Sequence, residues 1–334
     1  MRAALQLEVP PTRIPMMNHL ERSRHNLFSS IDVDRAARTR GNGDELTALA
    51  DSDHARFLPV FQYKVLTMCD TNQCTTVALK KHELVHHFEY TTLPVYLGRR
   101  DDLHYFAVAV EEKVKKIGEF TDLRHVAALL SDEDAALCGY AQAILTWQNT
   151  HRHCGVCSAP TVAQQGGHIL QCSDLACARE HYPRTDPAII VLVEHGERAL
   201  LGRKAGWPAR RYSTIAGFVE PGESAEQAVV REVDEETGVE VIELRYHSSQ
   251  PWPFPGSLML GYRAQAGRHK IQLNDQELEE AIWLSRQELM DRMAHGNFLP
   301  PTKISISFRL IEDWFNSNSE VPFKVWCENN KKLR

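Results

Sequence analysis

The sequence lacks any long apolar stretch. No unbroken apolar run is longer than Ala188–Val193, far short of the roughly 20 residues a membrane-crossing helix needs. It also lacks the charged-then-apolar layout of a secretory signal. Arg2 and Arg13 suit a transit segment, but Glu8 and Glu21 do not. These absences predict no membrane association and a cytoplasmic protein, with an organelle as the alternative. Basic excess is missing too: 38 Lys and Arg face 44 Asp and Glu, a net charge of −6. A general polyanion binder shows the opposite balance. Affinity for phosphate must then be local, or supplied by bound cations. Neither internal repeats nor low-complexity segments are visible.

What is present is ordinary globular composition, 43% hydrophobic and 25% charged, over 334 residues. That length suits two or three domains. The cysteines stand at 69, 74, 138, 154, 157, 172, 177 and 327. Without a secretory signal they read as metal ligands and free thiols, not disulfides.

Residues 1–50 are polar and irregular, with a turn at Asn42-Gly43. From Phe57 to about Val110, β-type runs such as Phe61–Met68, Thr75–Leu79 and Tyr105–Val110 alternate with turn signals. Residues 122–149 read as helical, and Gly139 divides them into two helices. Ala188–Val193 suits a buried strand, partnered by Glu197–Arg203 across a His195-Gly196 turn. After a Pro221-Gly222 turn a helix runs from about Ala225 to Thr237. Ser224 and Gln227 form its capping box, and Gly238 its C-terminal cap. A last helix is expected from about Lys303 to Phe315.

The helix at 225–237 carries the chemistry. Glu232 and Glu236 are four apart and share a face, which Glu235 adjoins. Bound divalent cations would offset the repulsion among them and bridge a diphosphate. Carboxylate oxygens suit Mg²⁺ or Mn²⁺, which polarise phosphoryl oxygens and acidify bound water. Glu223 and Arg231 can pair and brace the preceding loop. The set Gly217, Glu223, Arg231, Glu232, Val233, Glu235, Glu236, Gly238 and Val239 resembles the Nudix box at every fixed position. The resemblance implies that Glu232, Glu236 and the backbone carbonyl of Ala216 bind metal. Glu235 would be a ligand or help activate water, and the general base stays open.

Ten residues on, the chain reads Ser249-Gln250-Pro251-Trp252-Pro253-Phe254-Pro255-Gly256-Ser257. Alternating prolines stiffen the backbone and present Trp252 and Phe254 as flat faces for nicotinamide or adenine. Gln250, Ser249 and Ser257 offer hydrogen bonds. The array resembles that of the NADH pyrophosphatase subfamily, which implies that residues 250–257 meet the substrate. Tyr182-Pro183-Arg184 resembles the subfamily's link into the Nudix domain, where the Tyr touches substrate. Glu277-Leu278, with Ala281 and Trp283, resembles the segment that supplies a further metal ligand. Glu277 is the candidate, with Glu279 and Glu280 beside it. Ile306-Ser307 resembles a segment whose backbone contacts substrate, which places Ser307 there.

Cys154-x₂-Cys157 and Cys172-x₄-Cys177 have the spacing of a four-cysteine zinc ribbon. One structural zinc per chain is expected, since a closed thiolate shell leaves no position for chemistry. The family's second knuckle is tighter, so His153, His168 and His181 stand as substitutes for Cys177. His151 and His153 are candidates to support the zinc ligands. Cys69 and Cys74 read as thiols flanking a hairpin.

The resemblance covers about residues 135–315. It implies an α+β multidomain chain: an N-terminal α+β domain over 1–140, a zinc ribbon over 141–182, and a Nudix α/β/α sandwich with a mixed sheet over 183–334. The expected activity is hydrolysis of NAD(H) to AMP and nicotinamide mononucleotide by a homodimer, with NAD-capped RNA as a further substrate. The alternatives are a Nudix hydrolase of ADP-ribose or another nucleoside diphosphate derivative, and a non-catalytic zinc-ribbon binding module.

Overall fold

The computed structural model describes residues 17–30, 32–90, 92–112, 117–274 and 277–329. Arg2, Glu8 and Arg13 lie outside them. The described residues between 17 and 50 are more ordered than their polarity suggests. Asn18 and Glu21 form a capping box that opens α1 (His19–His25). Asn42 does not make a turn: its side chain accepts from the Glu45 N–H and starts α2 (Gly43–Asp51). An Asn-Gly pair makes a hairpin only between strands; here Asp44 and Glu45 follow it, acids suited to a helix N-terminus.

The first sheet holds β1 (Ala55–Phe61), β2 (Lys64–Cys69), β3 (Cys74–Thr76), β5 (Val95–Arg100), β6 (Leu103–Ala109) and β8 (Glu119–Asp122). A small pair joins β4 (Phe88–Glu89) to β7 (Glu111–Glu112), and α3 (Lys81–His87) precedes β4. Phe61–Met68 is not one run. Gln62 and Tyr63 take φ of +47° and +64° and fold β2 back onto β1. Cys69 and Cys74 do flank a hairpin, as antiparallel partners. They are not free thiols but a disulfide, with Cα atoms 4.1 Å apart.

The helical region divides before Gly139. Its pieces are α4 (Leu123–Val126) and α5 (Asp132–Thr150), the latter capped by Ser131. Gly139 lies inside α5 because Phe28 packs on it: a Cβ there would lie 3.0 Å from the ring. Since α5 continues through residue 141, the ribbon proper begins after Thr150. The ribbon is a three-stranded sheet of β9 (Thr161–Gln164), β10 (Ile169–Cys172) and β11 (Glu180–His181).

The second large sheet has the order β15-β16-β12-β13-β17, with β14 on β12. Its strands are β12 (Asp186–His195), β13 (Arg198–Arg203), β14 (Ile215–Phe218), β15 (Val241–Trp252), β16 (Ser257–Ala266) and β17 (Glu280–Ser285). Strand β12 is central and buried on both faces. Ile189, Val191 and Val193 pack with Ala228, Val229 and Val233 of α6 (Ala225–Thr237). Ile190 and Leu192 pack with Leu310, Ile311 and Trp314 of α8 (Ile306–Asn316). Each such Val, Ile or Leu side chain contributes about 1.5–3 kcal/mol of burial. A strand sandwiched this way has no polar side, which is why Ala188–Val193 is unbroken. Helices α7 (Arg286–Ala294) and α9 (Phe323–Asn329) complete the domain.

A repeat is present in topology, although none shows in the residues. The order β5-β6-β1-β2-β8 matches β15-β16-β12-β13-β17. Each set has one parallel pair, β1 with β6 and β12 with β16, and antiparallel neighbours elsewhere. Helix α3 occupies the place of α6 in chain order.

Candidate active site and metal centre

Helix α6 is fixed at both ends. Ser224 and Gln227 make the expected capping box, and Gly238 closes the helix at φ +65°. The loop before it is held by a fork: Arg231 Nε and Nη2 donate to Glu223 Oε1 and Oε2 at 2.8 and 2.9 Å. Arg231 Nη2 also donates to the Phe218 carbonyl at 2.9 Å. Its Nη1 donates to Glu232 at 2.9 Å and Glu235 at 3.1 Å. One guanidinium therefore ties three carboxylates and the loop backbone together. The Arg231 hydrogen bonds, helped by the Glu220 N–H, hold the Glu223 carboxyl down at about 2. Burial pushes Glu232 up, Arg231 opposes this, and the charges of Glu235 and Glu277 add to the rise.

The Glu232 carboxylate rests on Gly217, where a Cβ would come within 1.9 Å of Glu232 Cδ. Glu236 is buried. Lys204 Nζ lies 3.7 Å from Glu236 Oε1 and 2.8 Å from Glu277 Oε2. The donors Glu232, Glu236, Glu277 and the Ala216 carbonyl are all hard oxygens, as Mg²⁺ or Mn²⁺ requires. A buried carboxylate also calls for a cation. Among the described residues, only the four cysteines gather ligand atoms within 4.8 Å of one another. The carboxylates are held further apart, with Arg231 and Lys204 as their cationic neighbours.

Lys204, Thr214, Ala216, Glu236, Trp252 and Met259 line a cleft of about 370 Å³. Trp252 also lines a second cavity of about 550 Å³, between α1, α5 and the β15–β16 turn. Pro251, Pro253, Gly256 and Ser257 border that second cavity. Phe254 lies edge-on to Trp252 and Phe28, beneath the Arg124 guanidinium. Pro255 follows a cis peptide bond.

Several candidates are engaged with protein. Gln250 is fully buried; its amide donates to the carbonyls of Leu27 and Ile304 and accepts from the Ile306 N–H. Ser307 Oγ is buried against Ser213 and Thr214, tying α8 to the approach to β14. Tyr182 is 60% exposed, and its hydroxyl donates to Glu180. Phe28 reaches the Trp252–Phe254 array through a contact that is not legible in sequence, because it joins segments more than 200 residues apart.

The cysteine cluster forms as expected, with Cys177 a full member. Cys154 and Cys177 sulfurs lie 3.8 Å apart, and Cys157 and Cys172 sulfurs 3.3 Å apart. Tetrahedral zinc with Zn–S near 2.3 Å requires about 3.8 Å. The backbone N–H groups of Cys157 and Val156 pull the Cys154 thiol down to about 6. Burial and the Cys157 thiol push Cys172 up to about 12. Four thiolates this close need a cation to offset their charge. The histidine that supports the cluster is His181, with Nε2 3.3 Å from Cys154 Sγ. His151 bonds instead to Trp147 and Thr150, His153 sits in a backbone bridge with Pro160, and His168 contacts Tyr96 and Tyr140.

Three family models match in sequence. They are an NADH pyrophosphatase-like rudimentary NUDIX domain over residues 54–147, an NADH pyrophosphatase zinc ribbon domain over 149–182, and a NUDIX domain over 183–301. Nudix hydrolase 19, chloroplastic, of Arabidopsis thaliana is 43% identical over 61% of this chain and 51% of its own length. The NAD-capped RNA hydrolase NudC of Stutzerimonas stutzeri is 44% identical over 53% of this chain and 60% of its own. The human NAD-capped RNA hydrolase NUDT12 is 36% identical over 58% and 44%. The chain thus spans about half the length of the curated relatives it matches. The first domain's strand order now has its explanation, as a Nudix fold without the carboxylate helix, and the chain carries the three domains of the NADH pyrophosphatase type, a rudimentary NUDIX domain, a zinc ribbon and a NUDIX domain.

Proposed function

We propose that the protein hydrolyses the diphosphate bond of NAD(H), releasing AMP and nicotinamide mononucleotide. The observation that carries this reading is that Trp252 and Glu236 line one cleft. A flat indole for a nucleotide ring there stands beside carboxylates able to gather cations on a diphosphate. Glu232, Glu236, Glu277 and the Ala216 carbonyl would hold Mg²⁺ or Mn²⁺. When bound, the ion polarises phosphoryl oxygens and acidifies a water. Arg231 keeps Glu232 and Glu235 oriented, and Glu223 keeps Arg231 in place. Glu235, half exposed at its side chain, has the freedom to hold the attacking water. One zinc per chain would fold the ribbon.

An NAD cap on RNA presents the same bond, and relatives named NAD-capped RNA hydrolase support that substrate. The net charge of −6 favours the free dinucleotide, and Arg203 is already paired with Glu279. A homodimer is also proposed. Val156, Val162, Leu175 and Tyr182 expose apolar surface on and beside the ribbon, where a second copy could cover it and bring Tyr182 to a substrate. Among the described residues, no helix is long and apolar enough to cross a membrane. Cytoplasm is the proposed compartment, although a disulfide is uncommon there. The chloroplastic relative makes a plastid the alternative, and imaging a full-length fusion separates the two.

The test incubates the protein with Mn²⁺ or Mg²⁺ and NADH, NAD⁺, ADP-ribose or NAD-capped RNA, and measures AMP and nicotinamide mononucleotide by chromatography. Cleavage of NADH that is lost in Glu232→Gln is expected. Absence of AMP from NADH and NAD⁺ would overturn the reading. Light scattering on the eluting protein reports the dimer.

A further inference from the structure

Among the described residues, Arg231 and Lys204 both face the carboxylate cluster, and only Arg231 belongs to the Nudix box. The second, Lys204, lies outside the box at the end of β13. Its ammonium is 2.8 Å from Glu277 and 3.7 Å from Glu236, two of the carboxylates proposed to hold the metal. The placement is built into the backbone. Gly202 has no side chain, so Leu278 seats against β13; a Cβ at 202 would lie 2.8 Å from Leu278 Cδ1. The Glu279 N–H then donates to the Arg203 carbonyl at 2.9 Å, and Arg203 pairs with Glu279 at 2.8 Å. These contacts fix Glu277 alongside Lys204. The Glu236 side chain is only 2% exposed, so its charge needs a nearby cation whether or not metal is bound.

We propose that Lys204 is an internal counter-cation that competes with the divalent metal for Glu236 and Glu277, and so sets the metal affinity of the site. A divalent ion bound to those oxygens would sit within contact range of the ammonium. Like charges at that distance repel, so metal entry requires the Lys204 side chain to swing away. Its stem can do this: Lys204 is 37% exposed at its side chain and borders the open cleft. In the metal-free protein Lys204 thereby keeps a positive charge beside two carboxylates, Glu236 and Glu277. The inference rests on the metal-dependent reading above.

Manganese binding, followed by the electron paramagnetic resonance of free Mn²⁺ without substrate, tests it on the full chain. Lys204→Met keeps the stem and removes the charge. The expected result is Mn²⁺ affinity raised about tenfold or more, together with a lower melting temperature of the metal-free protein. Lys204→Arg keeps the charge and should bind Mn²⁺ within a few-fold of the wild type, which also serves as the folding control. A structural role alone would weaken metal binding in Lys204→Met rather than strengthen it. Unchanged or weaker affinity in that variant overturns the proposal, as does failure of both proteins to bind Mn²⁺. Tighter Mn²⁺ binding without hydrolysis of any dinucleotide would uphold Lys204's role and reject only the activity.

Discussion

Gly217 lies directly under the carboxylate of Glu232, with no room for even one carbon between them. The glycine of the box is there for space. Gly217→Ala is expected to push Glu232 off the strand and lower kcat by about 100-fold, the scale of a misplacement near 1 Å. Helix α6 keeps its caps, so the melting temperature should move little. Steady-state kinetics beside a thermal melt checks this; unchanged kcat would refute the steric account.

Glu223 supplies a pH signature. Its folded-state value of about 2 lies below the ordinary 4.5 because Arg231 and the Glu220 N–H hold the ionised form. A depressed carboxyl contributes stability that is fully present above the unfolded value and lost as pH falls through the folded one. Glu223→Gln should melt earlier than the wild type at pH 7. The gap should shrink as pH falls from about 4.5 toward 2. A gap constant over that range would show that the charge is not what matters.

Trp252 should govern substrate binding more than turnover. Stacking of a base on an aromatic side chain is worth about 1–3 kcal/mol. Trp252→Ala is therefore expected to raise KM for NADH about tenfold, and Trp252→Phe to recover most of it. Quenching of Trp252 fluorescence by the dinucleotide gives a readout independent of catalysis.

Removing zinc should unfold the ribbon first. Metal binding supplies folding energy to such small sites, and β9–β11 bury little beyond Leu170 and Cys172. Cys157→Ser is expected to bring zinc content from one per chain to near zero. It should cost several kcal/mol of stability, seen as early proteolysis between α5 and β12. Retention of zinc would show that three cysteines and His181 suffice.

The second half of the chain was far more legible in sequence than the first. Helix α6 was readable residue by residue because caps, spacing and chemistry agree over 13 residues. The strand at 188–193 was readable because both its faces are buried. Gly139 misled because a helical glycine that admits Phe28 looks the same in sequence as one that ends a helix. The Cys69–Cys74 bond was missed because composition and compartment argued against it, while its cause is a local hairpin register. Gln250 has the residue type of a ligand contact, and its amide ties Leu27, Ile304 and Ile306 together; Ser307, singled out for its backbone, spends its hydroxyl on Ser213 and Thr214. Lys204 was visible only as one basic residue in a loop, since its partners lie on α6 and before β17.

The shared strand order has a consequence for how the chain tolerates change. Two copies of one architecture lie in a single polypeptide, and the first carries His82, Glu83, His86 and His87 on α3 where the second carries its carboxylates on α6. If the first copy holds no charges in fixed positions, packing is its main constraint, and on α3 that falls on Leu84. Saturation mutagenesis read by activity should therefore find two differently constrained halves in one molecule, with α3 permissive outside Leu84 and α6 intolerant even on its open face.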